Sequence, residues 1–368
     1  MKKILIVVIL LISLVITACS TKEPPQQPLD NKKDNANQIN EEIKTGVEEK
    51  ISNEQDKDNS NSSSKNQTLF KFTSPDKQTR IEMDIDINQI SEGVPFNFYI
   101  YFKDELIKEL TVWDVTRDPV VWLDNKRAII GGQWLINVET GQTKYIWPEE
   151  EYIFTYRYSP NKKYLAICQK ADYEDRKDIL GFKILLIKLE DLSVKHLYTF
   201  PGSRVWTSGI SFNITWLDDE ILLFDGNHDE VPTIFKYSLN KDTVEIFISQ
   251  AWGPAAAPYG NFISYFEMPY YYYKPEKWET IIKNITQDKQ IKVNGIISWI
   301  NNNTYIVYGE NHGEIYKINN DLNYKKVDTI ADKLVEVMFI KGNEKNYKVY
   351  YLYWQDGIIK SNVKEVFF

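Results

Sequence analysis

The 368-residue chain sets 44 Lys and Arg against 52 Asp and Glu, for a formal net charge of −8. No basic footprint runs through it, which argues against DNA or RNA as a partner. It has only two cysteines, Cys19 and Cys168, which form no disulfide framework if Cys19 is otherwise modified, and the part from Leu69 to Phe368 is long enough to bury a large core.

The chain opens with Met1-Lys2-Lys3, an apolar stretch from Ile4 to Ile16, and Thr17-Ala18 before Cys19 and Ser20. A positive start, a short apolar core and small residues before a cleavage point predict a secretory signal peptide over residues 1–18. From Ile4 to Ala18 there are fifteen residues, short of the ~20 that span a bilayer as a helix. The run Ile16-Thr17-Ala18-Cys19 resembles the lipobox of bacterial lipoproteins. The resemblance implies that Cys19 becomes the new N-terminus and carries a covalent lipid of palmitate type. The expected location is then the extracytoplasmic face of the bacterial cell membrane, with the membrane as a partner through the anchor. An uncleaved membrane anchor and ordinary cleavage with an incidental cysteine are the alternatives. Two or more acyl chains give stable anchoring at ~0.8 kcal/mol per buried methylene.

Residues 19–68 form the lipidated cysteine and a predicted disordered tether. Pro24-Pro25, many Asn, Gln, Lys, Glu and Asp, and the run Asn59-Ser60-Asn61-Ser62-Ser63-Ser64 leave little apolar surface to bury. Ile39 to Ile51 spaces its aliphatics by four and reads as a short, marginal helix. As a flexible coil the 48 residues Ser20 to Gln67 reach on the order of 40 Å, enough to hold a folded domain clear of lipid headgroups.

From Leu69 to Phe368 the composition turns rich in Tyr, Trp, Phe, Ile and Val, and a repeat appears. Trp122-Leu123-Asp124-Asn125, Trp216-Leu217-Asp218-Asp219 and Trp299-Ile300-Asn301-Asn302 each precede an apolar strand-like run. Between them a second variant does the same: Ser74-Pro75-Asp76-Lys77, Ser159-Pro160-Asn161-Lys162 and Ala257-Pro258-Tyr259-Gly260. Both read as a strand, a tight turn built on Asp, Asn, Pro or Gly, and a second strand. Two further β-rich runs follow in each unit. The turns recur every 44 residues or so, the length of a four-stranded propeller blade of WD40-like size. The seventh is marked only by Lys341-Gly342-Asn343. The expected fold is all-β: a β-propeller of seven four-stranded blades at roughly 69–113, 117–148, 152–200, 207–249, 252–293, 295–330 and 333–368. Pairing of Leu69–Phe72 with Val363–Phe368 is the expected ring closure. Cys168, in the apolar run Leu165-Ala166-Ile167-Cys168, is expected to be a buried, inert thiol.

The run Ser159-Pro160-Asn161-Lys162-Lys163-Tyr164-Leu165-Ala166-Ile167 resembles the Ser-Pro-Asp-Gly-Lys repeats of TolB-like propellers, which also form the N-terminal lid of prolyl oligopeptidases. Lys77 and Lys162 stand where that pattern has Gly; Gly260 keeps it. The resemblance implies the fold and an extracytoplasmic setting, and it transfers no catalytic residue.

Motifs of chemistry are missing from the sequence. There is no Gly-x-Ser-x-Gly elbow, Walker loop, dinucleotide fingerprint or Cys-x-x-Cys pair, and His196, His228 and His312 form no His-Glu-x-x-His. Site candidates therefore come from topology. In a propeller whose strands run A to D outward, the B–C and D–A connections share one face, and irregular insertions fall there. Tyr270, Tyr271, Tyr272 and Tyr273, with Trp278, offer flat amphipathic rings for a glycan or a protein partner. Asp172, Glu174 and Asp175 form an acidic insertion. Asp225, Asp229 and Glu230 form an oxygen-rich turn, a candidate for a divalent cation, the one cofactor besides lipid to consider. The recurring Trp122, Trp216 and Trp299 are expected in the core. The sequence thus reads as a membrane-anchored binding or scaffold module for an envelope protein or cell-wall ligand. A glycan lyase or hydrolase working through carboxylates at the channel mouth is the alternative, with no catalytic residue named.

Overall fold

The structure, a computed structural model, describes residues 67–86, 95–112, 118–147, 153–171, 181–200, 213–229, 231–258, 260–267, 279–309, 312–343, 346–355 and 358–367. The signal peptide, Cys19, the tether and Ile39–Ile51 lie outside the described residues.

Every described element is a strand, and the strands form seven antiparallel sheets in chain order. Blade 1 is β1–β4 (Gln67–Thr73, Thr79–Asp86, Phe96–Phe102, Glu105–Val112). Blade 2 is β5–β8 (Val120–Trp122, Arg127–Ile130, Trp134–Asn137, Thr143–Tyr145). Blade 3 is β9–β12 (Ile153–Tyr158, Tyr164–Ala171, Gly181–Lys188, Val194–Phe200) and blade 4 is β13–β16 (Ile214–Trp216, Ile221–His228, Val231–Ser238, Thr243–Ser249). Blade 5 is β17–β20 (Ala251–Ala256, Phe262–Glu267, Glu279–Asn284, Lys289–Asn294) and blade 6 is β21–β24 (Ile296–Asn301, Thr304–Gly309, His312–Ile318, Tyr324–Asp332). Blade 7 is described by three strands, β25–β27 (Leu334–Asn343, Asn346–Gln355, Ile358–Phe367). The protein is a seven-bladed β-propeller, and its blades start on average about 44 residues apart.

The two turn variants of the sequence build one device. At Ser74 the hydroxyl donates to Asp76 Oδ1 (2.6 Å) and accepts the Thr79 N–H (3.0 Å), while Asp76 Oδ1 accepts the Gln78 N–H (3.1 Å). Ser159, Asn161, Lys163 and Tyr164 repeat the same bonds at 2.8–3.0 Å. In the tryptophan variant Asp124 Oδ1 takes the N–H groups of Lys126 and Arg127, and Asp218 Oδ1 takes those of Glu220 and Ile221. In each, a short side chain satisfies amides that the turn leaves out of the ladder. The bonds to Asp76 hold its carboxyl below the usual range, the Ser74 hydroxyl first. Lys77 and Lys162 sit at φ 63° and 57°, in the left-handed region. That is why glycine suits this position in related repeats.

The tryptophans are inter-blade struts. Trp216 is 6% exposed and its Nε1–H donates to the Arg157 carbonyl of blade 3 (3.1 Å). Trp299 is 2% exposed and reaches back to the Ala255 carbonyl and Ser264 Oγ of blade 5. Trp122 packs against the cluster that joins blades 1 and 2, which includes Phe98, Ile100 and Val112. The core is thus divided into clusters that each join neighbouring blades: Ala166, Phe182, Phe224 and Phe235 link blades 3 and 4, and Ile300, Ile315, Val337 and Val349 link blades 6 and 7. Burial at about 25 cal/mol per Å² holds blade to blade, while hydrogen bonds hold strand to strand.

The strand-paired closure expected between Leu69–Phe72 and Val363–Phe368 is not found. Among the described residues β1 ladders with β2 alone and β27 with β26 alone. Side chains make the joint instead: Phe70 meets Tyr350 edge-on at 4.8 Å, and Val363 packs on the same cluster. The reason is topological. β1 is already the innermost strand of blade 1, so it has no free place in blade 7.

Candidate functional site

The connections of the two faces differ. A–B and C–D turns are two to five residues long throughout, whereas B–C and D–A connections run from one to thirteen. The second face carries the sequence candidates. Tyr270, Tyr271, Tyr272, Tyr273 and Trp278 fall between β18 and β19, a B–C connection; Asp172, Glu174 and Asp175 fall between β10 and β11, another. These eight residues and Glu230 lie outside the described residues.

The strands before the tyrosine connection, β17 and β18, are described. Trp252 in β17 stacks on Phe266 in β18 with centroids 4.6 Å apart, and Trp252 is buried. The pair sits beside an irregularity in the β17–β18 register after Trp252, where Gly253 adopts φ 66°. A side chain fixes that bulge. Asp225 is 1% exposed; its Oδ2 accepts the buried Gly253 N–H (2.9 Å) and its Oδ1 accepts the Asn213 N–H (2.9 Å). One carboxylate therefore ties the inner strand of blade 5 to the segment entering blade 4. Burial, with the Asp225 charge second, pushes the Cys168 thiol well above its usual range, so this buried cysteine stays protonated and unreactive.

Asp225 and Asp229 are not brought together as cation ligands. Asp225 faces the interior with both oxygens engaged, while Asp229 is exposed at the β14–β15 turn, φ 50°, with Oδ2 3.5 Å from His228 Nε2. Among the described residues no three His, Cys, Asp or Glu side chains converge as a metal site.

Blade 2 presents on this same face a feature absent from the sequence candidates. Trp134 opens β7 just after the B–C turn, and its cross-strand partner is Tyr145, the last residue of β8. Trp147 follows in the D–A connection. The rings run in a row: Trp134 to Tyr145 5.1 Å at 66°, Tyr145 to Trp147 5.7 Å at 64°, Trp147 to the buried Tyr156 of blade 3 6.0 Å. Tyr145 is 39% exposed, and both tryptophans are half-buried. Trp147 donates its Nε1–H to the Gly132 carbonyl (2.6 Å). Gly132 needs to be glycine twice over: φ is 71°, and a Cβ there would stand 2.3 Å from the Tyr156 ring. The turn is thus pressed onto one ring and bonded to the next, which fixes the row without a ligand. Gly131-Gly132-Gln133-Trp134 near Tyr145-Ile146-Trp147 is the sequence signal for it; the pairing of β7 with β8 is what joins the two halves.

No family model matches the chain, and no curated protein does. Solved structures do. An uncharacterized protein from Listeria monocytogenes EGD-e aligns over 78% of this chain and 89% of its own, with TM-score 0.44 and 10% identity. The β-propeller domain of the Trilobed protease from Pyrococcus furiosus, described as having an open velcro topology, aligns over 82% of this chain and 84% of its own, with TM-score 0.42 and 14% identity. TolB from Acinetobacter baumannii aligns over 73% and 76%, with TM-score 0.36 and 11% identity. These likenesses concern the propeller fold and pass no activity to this chain.

Proposed function

We propose that this protein is a lipid-anchored, extracytoplasmic binding module whose propeller holds an envelope protein or cell-wall ligand on its B–C and D–A face. The signal-like start and the lipobox-like Cys19 support the location. The observation that carries the binding role is the fixed, part-exposed row Trp134–Tyr145–Trp147 on the irregular face. Rigid aromatic side chains give contact area at small ordering cost, the character of binding hot spots. The tyrosine connection between β18 and β19 adds a second aromatic element to the same face.

The anchor and the face are separable by experiment. Cys19→Ala should move the protein from the membrane fraction to the soluble extracellular or periplasmic fraction with its circular dichroism unchanged; continued membrane association would break the anchor reading. Replacing Tyr271, Tyr273 and Trp278 together with Tyr145 by Ala should abolish capture of the partner from solubilised native membranes. Undiminished capture by this folded variant would break the assignment of the face.

A further inference from the structure

The row on blade 2 has a chemistry of its own. Its rings meet at 66° and 64° with centroids 5.1 and 5.7 Å apart, so they form corners rather than a flat table. A sugar ring stacks best on a flat face. A rounded cation seated in a corner meets two electron-rich ring faces at once, each within the ~6 Å reach of a cation–π attraction.

The type of cation follows from what the rings lack. Trp147 spends its only N–H on Gly132, and the row's one side-chain acceptor is the Tyr145 hydroxyl, too few for the donors of a primary ammonium. A primary ammonium brings three N–H donors that need acceptors when they leave water. A trimethylammonium brings none, so it sheds water at smaller cost and fills a ring corner with methyl groups. Charge points the same way. The chain is net −8, and Glu149, Glu150 and Glu151 follow Trp147 in sequence, outside the described residues. The overall negative charge of the chain favours a cation over an acidic glycan as its ligand.

We propose that Trp134, Tyr145 and Trp147 form a subsite for a quaternary ammonium head of the choline type. The proposal rests on the reading of the irregular face as the binding surface and names the chemistry of one part of it.

The test is a titration of the full chain in detergent with choline chloride at constant ionic strength, read by tryptophan fluorescence and by saturation transfer to the N-methyl protons. The expected result is saturable binding in the millimolar range. Tyr145→Ala should weaken it about fivefold or more, and Tyr145→Phe should retain it. Uncharged dimethylbutanol, the isostere of choline, should bind far more weakly, as should methylammonium. Competition by phosphatidylcholine vesicles would place the head on a lipid, and its absence would place it on a soluble or glycan-borne ligand. Dimethylbutanol or methylammonium matching choline, an unaffected Tyr145→Ala with native circular dichroism, or no saturable response would each overturn the proposal. Undiminished partner capture by the folded face variant, with choline binding by the native protein intact, would break the scaffold reading alone.

Discussion

The two faces of the propeller are built on opposite rules. On the A–B and C–D face, connections of two to five residues are closed by their own Asp, Asn and Ser side chains, as at Ser74, Asp124, Ser159 and Asp218. On the B–C and D–A face, connections of one to thirteen residues lean on distant parts of the chain. Asp225 reaches from β14 to the amide of Gly253, and Gly132 rests on the Tyr156 ring of the next blade. The first face repeats one locally closed turn, to which cross-blade bonds such as the Asn161 N–H to Asp219 Oδ1 (2.8 Å) are added, and that repeat specifies the fold. The second is non-local and individual, and there a rigid frame can carry binding groups.

The largest expected effect breaks a non-local tie. Asp225→Ala leaves the Gly253 and Asn213 amides without their acceptor and should lower unfolding stability by about 3 kcal/mol, read as a shift in denaturant midpoint. A loss under half of that would mean the bulge at Trp252 stands by itself.

The core between the faces should give a pH signature that neither face gives. Burial, ahead of the Glu267 charge, pushes Tyr265 up to about 12, and burial, ahead of its bond to Glu314, pushes Tyr316 up to about 12. An unfolded tyrosine ionises near 10, so between pH 10 and 12 the unfolded state binds fewer protons than the folded one. Stability is then complete below pH 10 and falls as pH rises, on the order of 2 kcal/mol for Tyr265 by pH 12. Tyr265→Phe should flatten that decline in alkaline denaturation curves, and an unchanged slope would remove Tyr265 as its source.

The turn face should show smaller, local effects. Ser159→Ala removes the acceptor for the Tyr164 amide and should cost about 1 to 2 kcal/mol. Lys77→Gly, at φ 63°, should gain up to about 1 kcal/mol by relieving a left-handed residue. Destabilisation by Lys77→Gly would show that the turn carries no such strain.

The same division explains what the sequence reveals. Blades were legible because each turn carries its own cap: Trp216-Leu217-Asp218 marks a strand end wherever the rest of the chain goes, and the expected 252–293 unit matches β17–β20 closely. Ring closure was not legible, because Phe70 and Tyr350 meet only once every blade is in place. Asp225 looked like part of an oxygen-rich turn, yet period two along β14 turns it inward onto Gly253. Trp134 and Tyr145 look unrelated in sequence, and only the β7–β8 register makes them neighbours.

The central claim is that binding belongs to the irregular face. Its most direct measurement is a paired capture assay from native membranes, comparing Trp134→Ala/Tyr145→Ala with a turn-face variant, Asp104→Ala/Asp288→Ala, both checked for native circular dichroism. The first should lose its partner at least tenfold and the second should capture as the native protein does. Equal capture by both, or loss only in the turn-face variant, would contradict it.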